Sequence, residues 1–418
     1  MGARTPILKL AAMSIGLAAL LLAPAWCCPV QAQSEMPVKS SVQDVALDVE
    51  ADPASYCRPD KWVYFDADYL LWWVRGAQLP PLVTSSPQGT AIQDAGVLGE
   101  PATRVLYGDE LTSSGPWSGV RLRGGMGLDD FRQWWLIVDG FYLPMFSESF
   151  EASTQTESIL ARPFYDTAIG DQNAQLISYP GFVDGNIGVD VSSQLWGAGV
   201  ALRKNVYCCP GESCDSGYRL DFLVGYRYLE LSEGVEIYED MTATDPQGPL
   251  LLGTRLELQD LYTSESRFQG VELGLAAEAS GTKYFIAGEC RVALGQTQHH
   301  LQIDGSTRVS VPGQSDIGFP GGLLAPGEHW DYSDQEFSVV PQADIRVGRR
   351  FSDRMRLSVG YSLLYWSQVI RAGEHISTTL NSNQLPLYGG TPLAASAMPL
   401  QSSSFWAQGL SFRFEWQY

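Results

Sequence analysis

The sequence is 418 residues long, which permits one large domain or two ordinary ones. Charged residues make up only 18% and aromatics 11%, which argues against a disordered chain, since those are richer in charge and poorer in rings. The formal net charge is -20, and an acidic surplus of that size argues against a nucleic-acid partner, which needs a basic field.

The chain opens like an export signal. Arg4 and Lys9 precede an apolar run from Leu10 to Ala23, too short to cross a bilayer comfortably as a helix. Val30-Gln31-Ala32 then offers a small-x-small cleavage site before Gln33. A retained anchor helix is the rival reading. Cys27 and Cys28 suggest a lipoprotein, but Trp26 stands where a lipobox needs a small residue. Loss of residues 1–32 removes Arg4, Lys9 and no acid, so the mature charge becomes -22. Residues 33–60 read as a polar periplasmic lead-in. No later stretch has the length and apolarity of a membrane helix. A mature chain that crosses a membrane must therefore do so as a closed barrel, because an open sheet edge is unsatisfied in lipid.

From Lys61 the pattern alternates with period two, the mark of strands. Over Lys61 to Val74, Phe65, Tyr69 and Trp73 share one face, and Asp66 and Asp68 the other. Over Gly119 to Leu128, Val120, Leu122 and Met126 alternate with Arg121 and Arg123. Turning those arginines toward lipid would cost about 2–4 kcal/mol each near the midplane, so the arginine faces point inward. Gln133 to Leu143 follows, with Asp139 inward. Ser193 to Lys204 is ambiguous in register, with Trp196, Ala198, Val200 and Leu202 as the favoured outward set. Over Gly217 to Leu231, Arg219, Asp221 and Arg227 oppose a tyrosine- and leucine-rich face. Ser266 to Ala279 sets Glu272 and Glu278 inward, and Lys283 to Gln296 sets Glu289 and Arg291 inward. Glu336 to Arg350 contributes Asp344 and Arg346, with Pro341 near its mouth because proline cannot donate to a ladder. Arg354 to Ile370 contributes Arg356. The last strand runs from about Ser404 to Tyr418.

These segments predict an all-β fold over 61–418, a transmembrane antiparallel up-and-down barrel of about ten strands. The connections alternate long and short. Long ones fall near 75–116, 144–192, 232–265, 297–335 and 371–403, and short ones near 129–132, 205–216, 280–282 and 351–353. Short periplasmic turns and long outer loops belong to outer-membrane barrels and put both termini in the periplasm. Weak alternation over 235–264 suggests a hairpin above the membrane, which would bring a naive count to twelve. A soluble β-sandwich is the competing fold.

At the C-terminus, Leu410, Phe412, Phe414, Trp416 and Tyr418 alternate to the final residue. A strand closing on Tyr418 resembles the signal read by the outer-membrane barrel assembly machinery, an expected partner beside outer-membrane lipid. Other blocks resemble the family of β-barrel porins of type seven. They are Tyr365 to Ile376 with Asn381 to Pro386, Phe405 to Leu410, Asp68 to Trp73, Gly119–Arg121 with Gly124–Gly125, and Phe268 to Gly274. The resemblance spans 61–418. It implies an outer-membrane barrel and supplies no catalytic residues.

On these registers eight acids (Asp66, Asp68, Asp139, Asp221, Glu272, Glu278, Glu289, Asp344) meet seven bases (Arg121, Arg123, Arg219, Arg227, Arg291, Arg346, Arg356) inside the barrel. A ten-strand barrel is barely wider than the size that side chains fill. Either the charges pair and close the lumen, or the arginines form a narrow selectivity ladder that passes small solutes. The expected function is accordingly a porin with at most a narrow passive pore, or else a closed structural barrel whose outer loops bind a surface partner.

No enzyme, cofactor or metal site is expected. His299, His300, His329 and His375 lie in or beside outer loops, with Asp304, Asp331 and Asp334 near them, which keeps a rim hydrolase as a distant alternative. Cys57, Cys208, Cys209 and Cys214 fall on the periplasmic side, where disulfides are permitted and Cys214 can staple its own turn. A metal knuckle is the rival there. Cys290 sits mid-strand on the lipid face.

Overall fold

A computed structural model describes residues 62–418, apart from 113–114, 131–132, 211–216, 326, 328 and 385–399. The export segment, the lead-in, Cys57 and Cys214 lie outside the described residues. In chain order the strands begin with β1 (Val63–Val74), β2 (Val83–Ser85), β3 (Arg104–Tyr107), β4 (Trp117–Gly127) and β5 (Trp134–Ser153). Next come β6 (Leu160–Asp166), β7 (Asp171–Ser178), β8 (Val183–Pro210), β9 (Gly217–Ala243), β10 (Arg255–Ser280) and β11 (Tyr284–Ser310). The last are β12 (Ile317–Pro320), β13 (Trp330–Ser352), β14 (Met355–Val369), β15 (Thr379–Leu380) and β16 (Ser403–Gln417).

Ten of these close a ring in the order β1-β4-β5-β8-β9-β10-β11-β13-β14-β16. Each pairs antiparallel with its neighbours, and β16 returns to β1 with Phe65 opposite Trp416 and Asp68 opposite Arg413. The short connections lie at the rim where Trp62 and Val63 meet Tyr418, whose N–H donates to the Val63 carbonyl. Around this ring, Phe65, Tyr69, Leu122, Val138, Val271, Val347, Val359 and Phe412 are exposed on the outside. A continuous apolar belt of this kind belongs against lipid.

The ring is lopsided. β1, β4, β14 and β16 have 12, 11, 15 and 15 residues, close to one membrane crossing. The other six have 20 to 28. At about 3.3 Å per residue the longest project tens of ångströms beyond the belt. The expected long loops are therefore partly wall. The stretch 235–264 is the upper part of β9 and β10 with the turn between them, and the ring stays at ten; three connections at this end shrink, to 154–182, 244–254 and 311–329, while 75–116 and 370–402 keep their expected lengths. The reason is an inversion of polarity. In the belt, β9 turns Phe222, Val224 and Tyr226 outward and Asp221 and Arg227 inward. Above it, Glu236, Tyr238 and Asp240 face out, while Val235, Ile237 and Met241 are buried inside.

The three longest insertions fold back over the opening. They supply a five-stranded cap sheet ordered β15-β6-β2-β3, with β7 on β6. Leu82, Val83, Leu160 and Phe164 of the cap pack on Val235, Ile237, Leu258 and Ile303 of the raised wall. Lower down, Trp72, Trp117, Phe141, Phe268, Trp366 and Phe405 fill the barrel itself.

Candidate functional site

Beneath that aromatic layer lies the charged interior. Asp66, Asp68, Arg121, Arg123, Asp139, Asp221, Arg227, Glu272, Glu289, Arg291 and Asp344 are all buried there, while Arg219, Arg346 and Arg356 reach in from the terminal rim. Arg123 holds Glu289 with two hydrogen bonds of 3.1 Å. These residues stand on β4 and β11, five places apart in the ten-membered ring, so their contact spans the whole lumen. Arg291 donates to Glu289 at 2.5 Å, Glu272 at 2.8 Å and Asp139 at 3.0 Å. Arg227 joins Asp139 at 3.0 Å to the Gln342 side chain at 2.8 Å. Arg121 reaches Asp344 at 2.8 Å, which also accepts from Ser362 at 2.5 Å. At the rim, Arg219 bonds Asp221 and Arg356 bonds Glu278.

Sequence reasoning missed Arg413, Glu415 and Arg203. Arg413 bonds Asp68 at 2.7 and 2.8 Å and Asp66 at 3.2 Å. Its signal was present, since Arg413 and Glu415 alternate with Phe412, Phe414 and Trp416. Arg203, bonded to Asp221 at 2.8 Å, lay in the strand of ambiguous register. With these three, nine acids face nine arginines among the described residues. A water-filled pore would leave such groups wet. Instead Arg291 and Arg227 are each 2% exposed, with Arg291 bonded to three acids and Arg227 to one acid and one amide.

A second tier of charge fixes the cap. Arg162 of β6 is buried between Glu239 (2.6 Å) and Asp260, with which it also bonds. Arg371 grips Glu233 at 2.6 Å through both Nε and Nη2, and donates to the Arg75 and Gly76 carbonyls. Neither arginine was foreseen, because both lie in stretches read as loops.

The histidines separate. His300 lies 3.3 Å from Asp331, and His329 contacts Asp304, with His300 and Asp304 on the outward face of β11. His375 donates to the Arg371 carbonyl and accepts the Gln401 N–H. His299 points inward, with Ser266 Oγ 3.2 Å from Nδ1 and Glu336 Oε2 3.7 Å from Nε2. That order imitates a hydrolytic triad. Ser266, however, has no exposed surface and accepts the Ile370 N–H, so no substrate reaches it. No group of three or more metal-ligating side chains forms among the described residues. Cys208 is disulfide-bonded, and Cys290 is a free thiol on the outer face of β11.

The family model described as Putative beta barrel porin-7 (BBP7) matches residues 64–418. The chain belongs to this family. Membership sets it among outer-membrane β-barrels. No curated protein matches the sequence. Among solved structures, this porin-7 chain is similar to the outer membrane protease OmpT from Escherichia coli, at 9% identity and a TM-score of 0.39, covering 86% of this chain and 97% of that one. It is also similar to the Pseudomonas putida toluene transporter TodX, at 9% identity and a TM-score of 0.24, covering 88% and 93%. A Pseudomonas aeruginosa FadL homologue aligns at 10% identity and a TM-score of 0.19, covering 88% and 92%.

Proposed function

We propose that the protein is a non-conducting outer-membrane barrel, a closed cylinder that mounts a rigid cap on the cell surface. The observation that carries this reading is the bidentate Arg123–Glu289 contact across the full width of the ring. A solute would have to break a buried ion pair there, which costs several kcal/mol. It would then meet the aromatic layer around Trp72 and Trp366, both without exposed surface. In this reading the terminal rim faces the periplasm and the raised wall faces outward. The rival is a narrow pore in which the arginines act as a selectivity ladder. That role needs charges lining a water column, whereas here Arg121, Arg123, Arg227, Arg291 and Arg413 are each hydrogen-bonded to buried acids. Planar-bilayer recordings of the purified, heat-modifiable barrel test the two. The closed reading expects no ohmic steps at any voltage, and a steady single-channel conductance would overturn it.

A further inference from the structure

The raised wall has a free edge. β13 pairs with β11 from Trp330 downward, but its pairing with β14 begins only at Gln342. From Trp330 to Pro341 the strand therefore has a ladder partner on one side only, among the described residues. The last tie across the gap is the Val339 N–H to Ser367 Oγ. Asp331, Tyr332, Ser333, Asp334 and Gln335 are exposed in succession, so both faces of the strand meet solvent, and Phe337 is 65% exposed. Natural sheets blunt such edges with lysine, proline or a covering segment, because open N–H and C=O rows recruit another strand. Here no lysine or arginine occurs between Trp330 and Pro341.

Two further features adjoin the edge. On the outer face, Glu265, Arg267, Gln298, His300, Ser333 and Gln335 line a groove of about 430 Å³. On the inner face, His299 Nε2 and Glu336 Oε2 are buried, lie 3.7 Å apart and have no hydrogen-bond partner. His299 is itself 2% exposed. That separation is too long for a hydrogen bond, and a buried polar atom left in this state is costly. A strand added beside β13 would place alternate side chains into the outer groove and over this inner pair.

We propose that the open edge of β13, from Trp330 to Val340, docks an extended basic peptide segment of a partner protein, which joins the wall as an additional strand. Charge selects this occupant. The edge carries Asp331, Asp334 and Glu336 and no cation, so a lysine- or arginine-bearing strand is attracted. A second copy of this chain is disfavoured. Edge-to-edge pairing of β13 would set these acids against themselves. Among the described residues β5 also has a ladder partner on one side only above Tyr142, and that edge carries Glu148 and Glu151 and repels β13 in the same way. Main-chain hydrogen bonds would supply affinity and the flanking side chains specificity, as in strand addition generally. The proposal rests on the surface-display reading, but the two fail separately, since conductance tests one and peptide binding the other.

The experiment uses the full chain in lipid nanodiscs and a fluorescent ten-residue peptide alternating lysine and valine. Two further versions carry N-methyl groups on either the odd or the even residues, and a control replaces lysine by glutamate. Strand addition expects the parent to bind and the glutamate control not to. It also expects one N-methyl version to lose at least tenfold in affinity while the other keeps it, because only alternate N–H groups face the edge. The variant D331N/D334N/E336Q, which alters exposed or half-exposed side chains and keeps heat-modifiable migration, should bind the parent at least tenfold more weakly. Absence of parent binding, equal binding of both N-methyl versions, or equal loss by both would overturn the proposal. Dimers of the barrel cross-linked through β13 would overturn it too.

Discussion

Arg413 on the last strand holds Asp68 on the first with paired hydrogen bonds of 2.7 and 2.8 Å, directly across the seam that closes the barrel. Arg413 also reaches Asp66, so one cation serves two acids that are 3% and 4% exposed. R413M removes that cation and leaves both carboxylates buried. Breaking a buried pair from one side costs about 3–5 kcal/mol. D68N is milder, because the amide still accepts from the guanidinium and no orphan charge results. The urea midpoint of heat-modifiable migration should fall in the order wild type, D68N, R413M. A variant R413M as stable as wild type would show that the seam does not depend on this pair.

Arg162 links the cap to the raised wall through Glu239 and Asp260. Asp260 also accepts the Leu324 and Ala325 N–H groups, so one arginine organises two insertions. R162M should loosen the cap by about 3–5 kcal/mol, since both acids lose their buried cation. The membrane belt should not respond, because it is built from other residues. Hydrogen exchange is the measurement, with faster exchange expected in β6 and β7 and unchanged exchange in β1 and β16. Uniform acceleration would mean that cap and barrel are one cooperative unit.

Two histidines at the raised end should titrate on opposite sides of the ordinary value near 6.5. A hydrogen bond to Asp304 raises His329, so their charge-assisted contact is complete below the ordinary value and is lost as pH rises through the raised one. Burial lowers His299, with Glu336 and Asp334 opposing and His375 reinforcing the shift. Its contribution to stability is full above the ordinary value and is lost as pH falls through the depressed one. Ring-proton NMR titration checks both. D304N should bring His329 down toward 6.5 and leave His299 in place, and a His299 that titrates above 6.5 would contradict its buried setting.

The membrane belt was legible because lipid and lumen impose opposite polarities on alternate residues, so Arg121 and Arg123 fixed the register of their strand. The Gly124–Gly125 pair was visible only as a family block. For Gly125 the physical role is contact, since the Tyr64 ring lies 2.0 Å from where its side chain would start and leans on Trp135. The raised wall was not legible as wall. Once the outward face turns polar and the inward face apolar, a search for lipid-facing strands stops, so 235–264 reads as a separate hairpin above the membrane and not as the continuation of β9 and β10. Arg162, Arg371 and Glu233 were hidden for the same reason. Their partners stand up to 296 residues away in sequence, which local periodicity does not encode.

The two interior layers act in series, and this makes a sharp prediction about opening the barrel. The lower one is the ion-pair network centred on Arg123–Glu289. The upper one contains Trp72, 5.6 Å from Phe141, and Trp366, which donates to Thr297 and meets Phe268 edge-on. Two barriers in series conduct no better than the tighter one. W72A/W366A should therefore stay silent in planar bilayers, although each truncation costs about 3–5 kcal/mol of packing. R123A/E289A should stay silent as well, because removing both partners together leaves no orphan charge from that pair. Only the four-fold variant should show steady ohmic steps, provided its heat-modifiable migration certifies a folded barrel. If either double variant alone conducted as well as the combination, one layer would be sealing the barrel without help from the other.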